Sequence, residues 1–125
     1  LRLAEGDLAL RLAQAGLDRV MVSLHGSRAE VSDTVTSAPG TFDATVAGID
    51  ALRRAGVATR LNFVFCRANY RDFPAFVAFV AARWPAITLV VSFVGAHTDV
   101  VPREQSLIPS FREVLPFLQR GLRTA

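Results

Sequence analysis

Apolar and polar positions along the chain change period several times, and each change marks an element. Leu1, Ala4, Leu8, Leu12 and Ala15 recur at helical spacing, and Gly16 closes that helix. Gly6 weakens the first turn, so the helix is firmer from Asp7 onward. Arg19 to Leu24 is too short for a helix and holds Val20, Met21 and Val22 in a row, the pattern of a strand covered on both faces. A long polar loop, HGSRAEVSDTVTSAPG, follows, with a helical turn expected at Val31 to Val35. Thr41 is the expected N-cap of the next helix, whose stripe is Phe42, Val46, Ile49 and Leu52 and which ends at Gly56.

The period drops to two over Ala58–Phe65, where Leu61, Phe63 and Phe65 alternate with Asn62 and Val64. After a loop from Cys66 to Arg71, Asp72 is expected to cap a helix with Pro74 in its first turn and Phe73, Phe76, Val77 and Val80 on one side. Trp84-Pro85 stops it. Thr88–Val94 reads as a third strand interrupted by Ser92, followed by Gly95, His97 and Asp99. A last helix is predicted over about Phe111 to Arg123, with Pro116 near its start or kinking it. The order α-β-α-β-α-β-α predicts an α/β chain with three parallel strands and right-handed crossovers. Three strands form an arc with two open edges, a liability for an isolated domain, so the chain is expected to be part of a larger sheet.

Composition narrows the picture modestly. The 125 residues are 51% hydrophobic and 20% charged, which excludes a disordered chain and allows one core burying roughly 65–70% of the unfolded surface. All 14 basic residues are arginines, scattered rather than clustered, so the net charge of +3 gives little support to nucleic-acid binding. The single cysteine, Cys66, permits no internal disulfide and no multi-cysteine metal site, and fits a reducing, cytoplasmic setting. No apolar run approaches the ~20 residues of a membrane span.

Candidate chemistry gathers at the carboxyl ends of the expected strands, where parallel βα proteins keep their sites. Ser23 either bonds a neighbouring carbonyl or offers its hydroxyl to a ligand. Asn62 either joins a buried polar network or contacts a ligand, since a buried amide needs several partners. His25, His97 and Asp99 come from different loops without metal-site spacing. Cys66 has no evident paired base.

The run GLDRVMVSLHGSRAEVSDTVTSAPGTFDATVAGIDALRRAGVATRLNFVFCRANYRDFPAFVAFVA resembles the second half of a radical S-adenosylmethionine (radical SAM) domain. The likeness rests on VSLHG at one strand end, the acidic loop with Asp33, the PGTFDATVAGIDALRRAG helix and the LNFVFCRAN strand, in that order over about residues 5 to 97. It implies a partial βα barrel fragment holding the fourth to sixth of six strands, helices on the outer face, with the N-terminal half of the barrel as its missing partner. Residues 1–101 would be this half-barrel and 102–125 a C-terminal extension with one helix.

The resemblance implies S-adenosylmethionine and a four-iron, four-sulfur (4Fe–4S) cluster as cofactors of the full-length protein. The cluster would reduce S-adenosylmethionine to a 5′-deoxyadenosyl radical that abstracts hydrogen from a substrate. Ser23, Asn62 and Val94 match positions at the cofactor, the last beside adenine. His25, where many members carry Asp, would lie nearer the substrate with Asn69 and His97. Thr36 stands near where several members place an Arg. The CxxxCxxC cluster motif and the Gly-Glu motif are absent, so the chain is not expected to act alone. Another βα-barrel metal-dependent enzyme and a non-catalytic interaction module remain alternative readings.

Overall fold

The computed structural model describes residues 2–4, 6–94 and 107–124; His97, Asp99 and the expected boundary at residue 101 lie outside them. After a 3-10 turn at Arg2–Ala4 come α1 (Leu8–Gln14), β1 (Arg19–Ser23), α2 (Ala29–Thr36), α3 (Thr41–Arg54), β2 (Ala58–Phe65), a 3-10 turn at Tyr70–Asp72, α4 (Phe73–Arg83), β3 (Thr88–Phe93) and α5 (Phe111–Leu122). The three strands form an open sheet in the order β1-β2-β3, with both pairings parallel. The chain is an α/β structure, a partial βα arrangement.

Strand alternation sorts the sheet into two unlike faces. Leu61, Phe63 and Phe65 of β2 are wholly buried on the side where the helices pack. Phe63 is the hub, with ring centroids 5.1 Å from Phe73, 4.7 Å from Phe76 and 5.2 Å from Phe65. Such tilted and edge-on aromatic pairs add to the burial each ring already contributes. The other face carries Arg19, Met21 and Ser23 of β1 and Arg60, Asn62 and Val64 of β2, none of them fully buried. The apolar run of β1 predicted cover on both faces; within the described residues only one is covered, and Met21 is 59% exposed.

Several local expectations change. The polar loop after β1 is largely the helix α2, of which Val31 to Val35 is the middle. Thr41 is the first residue of α3 rather than its cap. Gly40 holds the N-cap position at φ 78°, in the left-handed region that favours glycine. The free N–H groups there are met by Asp33, whose carboxylate accepts from Gly40 N (2.6 Å), Phe42 N (2.8 Å) and the Thr41 hydroxyl (2.9 Å). A carboxylate delivered from the preceding helix thus does what the local residue was expected to do. Burial would raise the Asp33 pKa, but the bonds from Phe42, Gly40 and Thr41 prevail and hold it below the usual value.

Asp72 likewise makes no side-chain cap on α4. Its carboxylate turns to the start of α2, accepting from Ser27 N (2.6 Å), the Ser27 hydroxyl (2.8 Å) and Arg28 (3.0 Å). The last helix begins with a capping box between Ser110 and Glu113, and Pro116 lies inside it without ending it. Val114 of α5 is 1% exposed and belongs to the same core as Phe73 and Val77. Gly121 lets the two helices meet, because a Cβ there would fall 2.6 Å from the Phe73 ring.

Candidate functional site

The carboxyl ends of β1 and β2 are tied together by one side chain. Asn69, 1% exposed, donates from Nδ2 to the carbonyls of His25 (3.0 Å) and Val64 (2.9 Å). Its Oδ1 accepts from Cys66 N–H at 2.8 Å. Both amide protons are therefore engaged within the chain. Asn69, expected near the substrate, holds the backbone of the two strand ends and has no donor left to offer.

That anchoring fixes His25. The Val64 N–H donates to His25 Nδ1 at 3.3 Å, and the ring stands edge-on to Phe63. A backbone N–H can only donate, so Nδ1 carries the lone pair and the imidazole is neutral with its proton on Nε2. Burial lowers the pKa of His25 in the same direction. Nε2 has no hydrogen-bond partner among the described residues. Next to it, Gly26 permits the close approach of α2, since a Cβ there would meet Ser32 N and Val31 Cβ at 2.8 Å.

His25 lines a cavity of about 840 Å³ at the strand ends, together with Val64, Cys66, Val94, Leu107 and the last turn of α2. This lies within the roughly 300–1,000 Å³ of small-molecule sites. Thr34, Thr36 and Ser37 bring hydroxyls to the wall, although the Thr34 and Thr36 hydroxyls also bond to backbone carbonyls of α2. Arg67 is the cation there, engaged at 3.0 Å by Glu113, and it also donates to Ile108 O. The bonds from Ser110 and then Arg67 pull the Glu113 carboxyl down to about 2. The thiol of Cys66 is pushed up by burial, so it stays protonated and is a poor nucleophile.

The other expected residues fall in two places. Val94 lines this cavity with His25. Ser23 and Asn62 are register partners on the helix-free face, one row below the strand ends. Asn62 Oδ1 accepts from the Ser92 hydroxyl at 2.8 Å, joining β2 to β3. Ser23 also borders a smaller cavity of about 170 Å³ formed with α3 and Leu3. That space is mostly apolar and lacks titratable groups, so the larger cavity is the chemically equipped one.

Arg67 and the Ser27–Asp72 link escaped sequence reading. Both depend on partners some 45 residues away in the chain. Among the described residues no group of three or more His, Cys, Asp or Glu is placed to hold a metal ion, and no helix is long and apolar enough to cross a membrane.

With this geometry in view, the chain can be set beside known proteins. It is 33% identical over 66 residues to the AdoMet-dependent heme synthase of Methanosarcina barkeri, covering 53% of this chain and 19% of that one. The enzyme of the same name from Oleidesulfovibrio alaskensis matches at 34% over 67 residues, 54% of this chain and 17% of the other. The Probable GTP 3',8-cyclase of Saccharolobus islandicus matches at 39% over 72 residues, 57% and 23% of the respective lengths. The likeness is to parts of these enzymes. The chain spans less than a quarter of the length of these relatives. No protein-family model matches it.

Proposed function

We propose that the chain is the C-terminal half of the partial βα barrel of a radical SAM enzyme, where it forms part of the wall around S-adenosylmethionine and an unidentified substrate. The observation that carries this reading is the polar row Ser23–Asn62 on the helix-free face, leading to the cavity shared by His25 and Val94. The same stretch of sequence resembles a radical SAM domain, and the similarity to proteins named for dependence on AdoMet supports the cofactor.

The cavity suits a nucleoside. Val64, Val94 and Leu107 give it apolar wall for a flat heterocycle, while hydroxyls and the His25 N–H answer ribose and ring acceptors. The iron–sulfur cluster does not fit this chain, which has one cysteine and no metal-holding group among its described residues. Its ligands belong to the N-terminal half of the barrel in this reading, and the chain's own work is to bind and orient. Asn69 serves by holding the strand ends in place, and Asp72 by holding the start of α2 beside them.

The test is the complete reading frame. Three cysteines spaced CxxxCxxC are expected within about 100 residues upstream of Leu1, the length of three βα units. The protein it encodes is expected to hold iron and sulfide after anaerobic reconstitution. An upstream region without those cysteines, or a reconstituted protein holding zinc and no iron, would refute the reading.

A further inference from the structure

The last helix carries two apolar stripes, and the fold uses one of them. Val114, Phe117 and Gly121 pack inward, against the core, the Tyr70 ring and α4. Beside them Phe111, Leu115, Leu118 and Leu122 follow at steps of four, three and four residues, the spacing of a seam that meets a second helix. Phe111 is 73% exposed and Leu122 64%. Near the start of this stripe a hollow of about 150 Å³ opens between Phe93, Phe111, Leu115 and Leu118. An apolar hollow of that size holds a benzene-sized group, room for one leucine or phenylalanine side chain.

Charge lies along one edge of the stripe. Arg112, Gln119 and Arg123 share that edge, with the two arginines about three turns apart. Neither arginine has an ion-pair partner among the described residues, while the acid of this helix, Glu113, is held by Arg67 and Ser110. Arg112 also stands in the first turn, where the positive end of the helix dipole disfavours a cation. An apolar centre rimmed by arginine is the composition of an interface between separately folded proteins rather than of a domain core.

We infer that the exposed stripe of α5 docks an acidic amphipathic helix of a partner protein. One large apolar side chain of that helix fills the hollow beside Phe93, and its carboxylates meet Arg112 and Arg123. A second copy of this chain fits less well, because antiparallel α5 helices would set arginine against arginine. No residue lines both this hollow and the cavity of His25, so the inference does not rest on the nucleoside reading.

The probe is a three-heptad peptide with leucine at the seam positions and glutamate beside them, compared with a lysine-flanked twin by fluorescence anisotropy against the complete protein. The glutamate peptide is expected to bind about tenfold tighter or more at low salt, with the gap closing as salt rises. Leu115→Ser should weaken it about tenfold with the melting temperature nearly unchanged, since Leu115 is half exposed. Arg112→Glu guards against misfolding as the explanation. An acid in the first turn suits the helix dipole, so α5 is kept while the preference between the two peptides vanishes. Equal binding of both peptides by the parent, binding of neither, or an intact preference in Arg112→Glu would overturn the inference. So would a parent that dimerises through this face until Leu115→Ser separates it, or one that binds phosphatidylglycerol vesicles and not the glutamate peptide.

Discussion

The two faces of the sheet are built from the same three strands and follow opposite rules. On the helix side, Leu61, Phe63 and Phe65 are fully buried in an apolar layer. On the other side, arginine, serine, asparagine and histidine alternate with methionine and valine, and polar side chains bond one another or remain open. A period of two makes this possible, because neighbouring residues of one strand serve different faces. The contrast teaches where the apolar core of the chain resides, on the covered face, and where its half-open polar side chains gather, on the other face and at the strand ends above it.

The sharpest way to break the contrast is a pair of truncations one residue apart. Phe63→Ala removes the centre of the aromatic layer and is expected to cost about 3–5 kcal/mol in urea unfolding. Val64→Ala, on the open face, is expected to cost under about 1 kcal/mol, within the range of a half-exposed methyl pair. Comparable losses at the two positions would show that the open face is also a stability core.

Asn69 lies where the two regimes meet, so its loss is expected to touch both. Asn69→Ala strands the N–H of Cys66 and two carbonyls, with an expected destabilisation of about 2 kcal/mol or more. It should also weaken binding of S-adenosylhomocysteine by the complete protein, because His25 loses its anchor. Unchanged affinity in a destabilised variant would remove the positioning role. Gly121→Ala acts on the covered side alone. Its Cβ presses on the Phe73 ring, so about 1–3 kcal/mol of stability should be lost with affinity intact.

Smallest in stability is Asn62→Ala. It breaks one bond to Ser92 and is expected to cost below about 1 kcal/mol while weakening ligand binding. A large stability loss there would instead mark Asn62 as a structural link between β2 and β3.

Acidity gives a further check. The His25 pKa is lower in the folded chain than its ordinary 6.5, so the unfolded chain takes up a proton first as pH falls. This contribution is present above pH 6.5 and is lost as pH falls through the lower folded value. Glu113 acts in the same direction at lower pH: its contribution is complete above its ordinary 4.5 and is lost as pH falls through its folded value of about 2. Melting temperature should therefore begin to fall below about pH 6.5, and His25→Asn should flatten that first decline. An unchanged decline would assign it to another group.

Much of the covered face was legible in the sequence. Alternation in LNFVFC marked β2 to the residue, and Gly16 and Gly56, at φ 98° and 80°, close their helices as glycine caps should. The strands and the core stripe of α3 follow from short-range periodicity, and the parallel pairing from the alternation of helices and strands. What was not legible depends on partners distant in sequence. Asp33 and Asp72 each looked like part of an ordinary loop or cap, yet each carboxylate serves another element. The same holds for Asn69, whose bonds to His25 and Val64 cross between strand ends. The apolar run of β1 misled for another reason: Met21 stands on the face that nothing in the described residues covers.

The most direct test of the account is hydrogen exchange on the complete protein with and without S-adenosylhomocysteine. Ligand-induced protection is expected in the amides of residues 22–27 and 62–68, at the strand ends beside the cavity, with α3 and α4 unchanged. Protection confined to the helices, or none at the strand ends of a protein that binds the ligand, would contradict it.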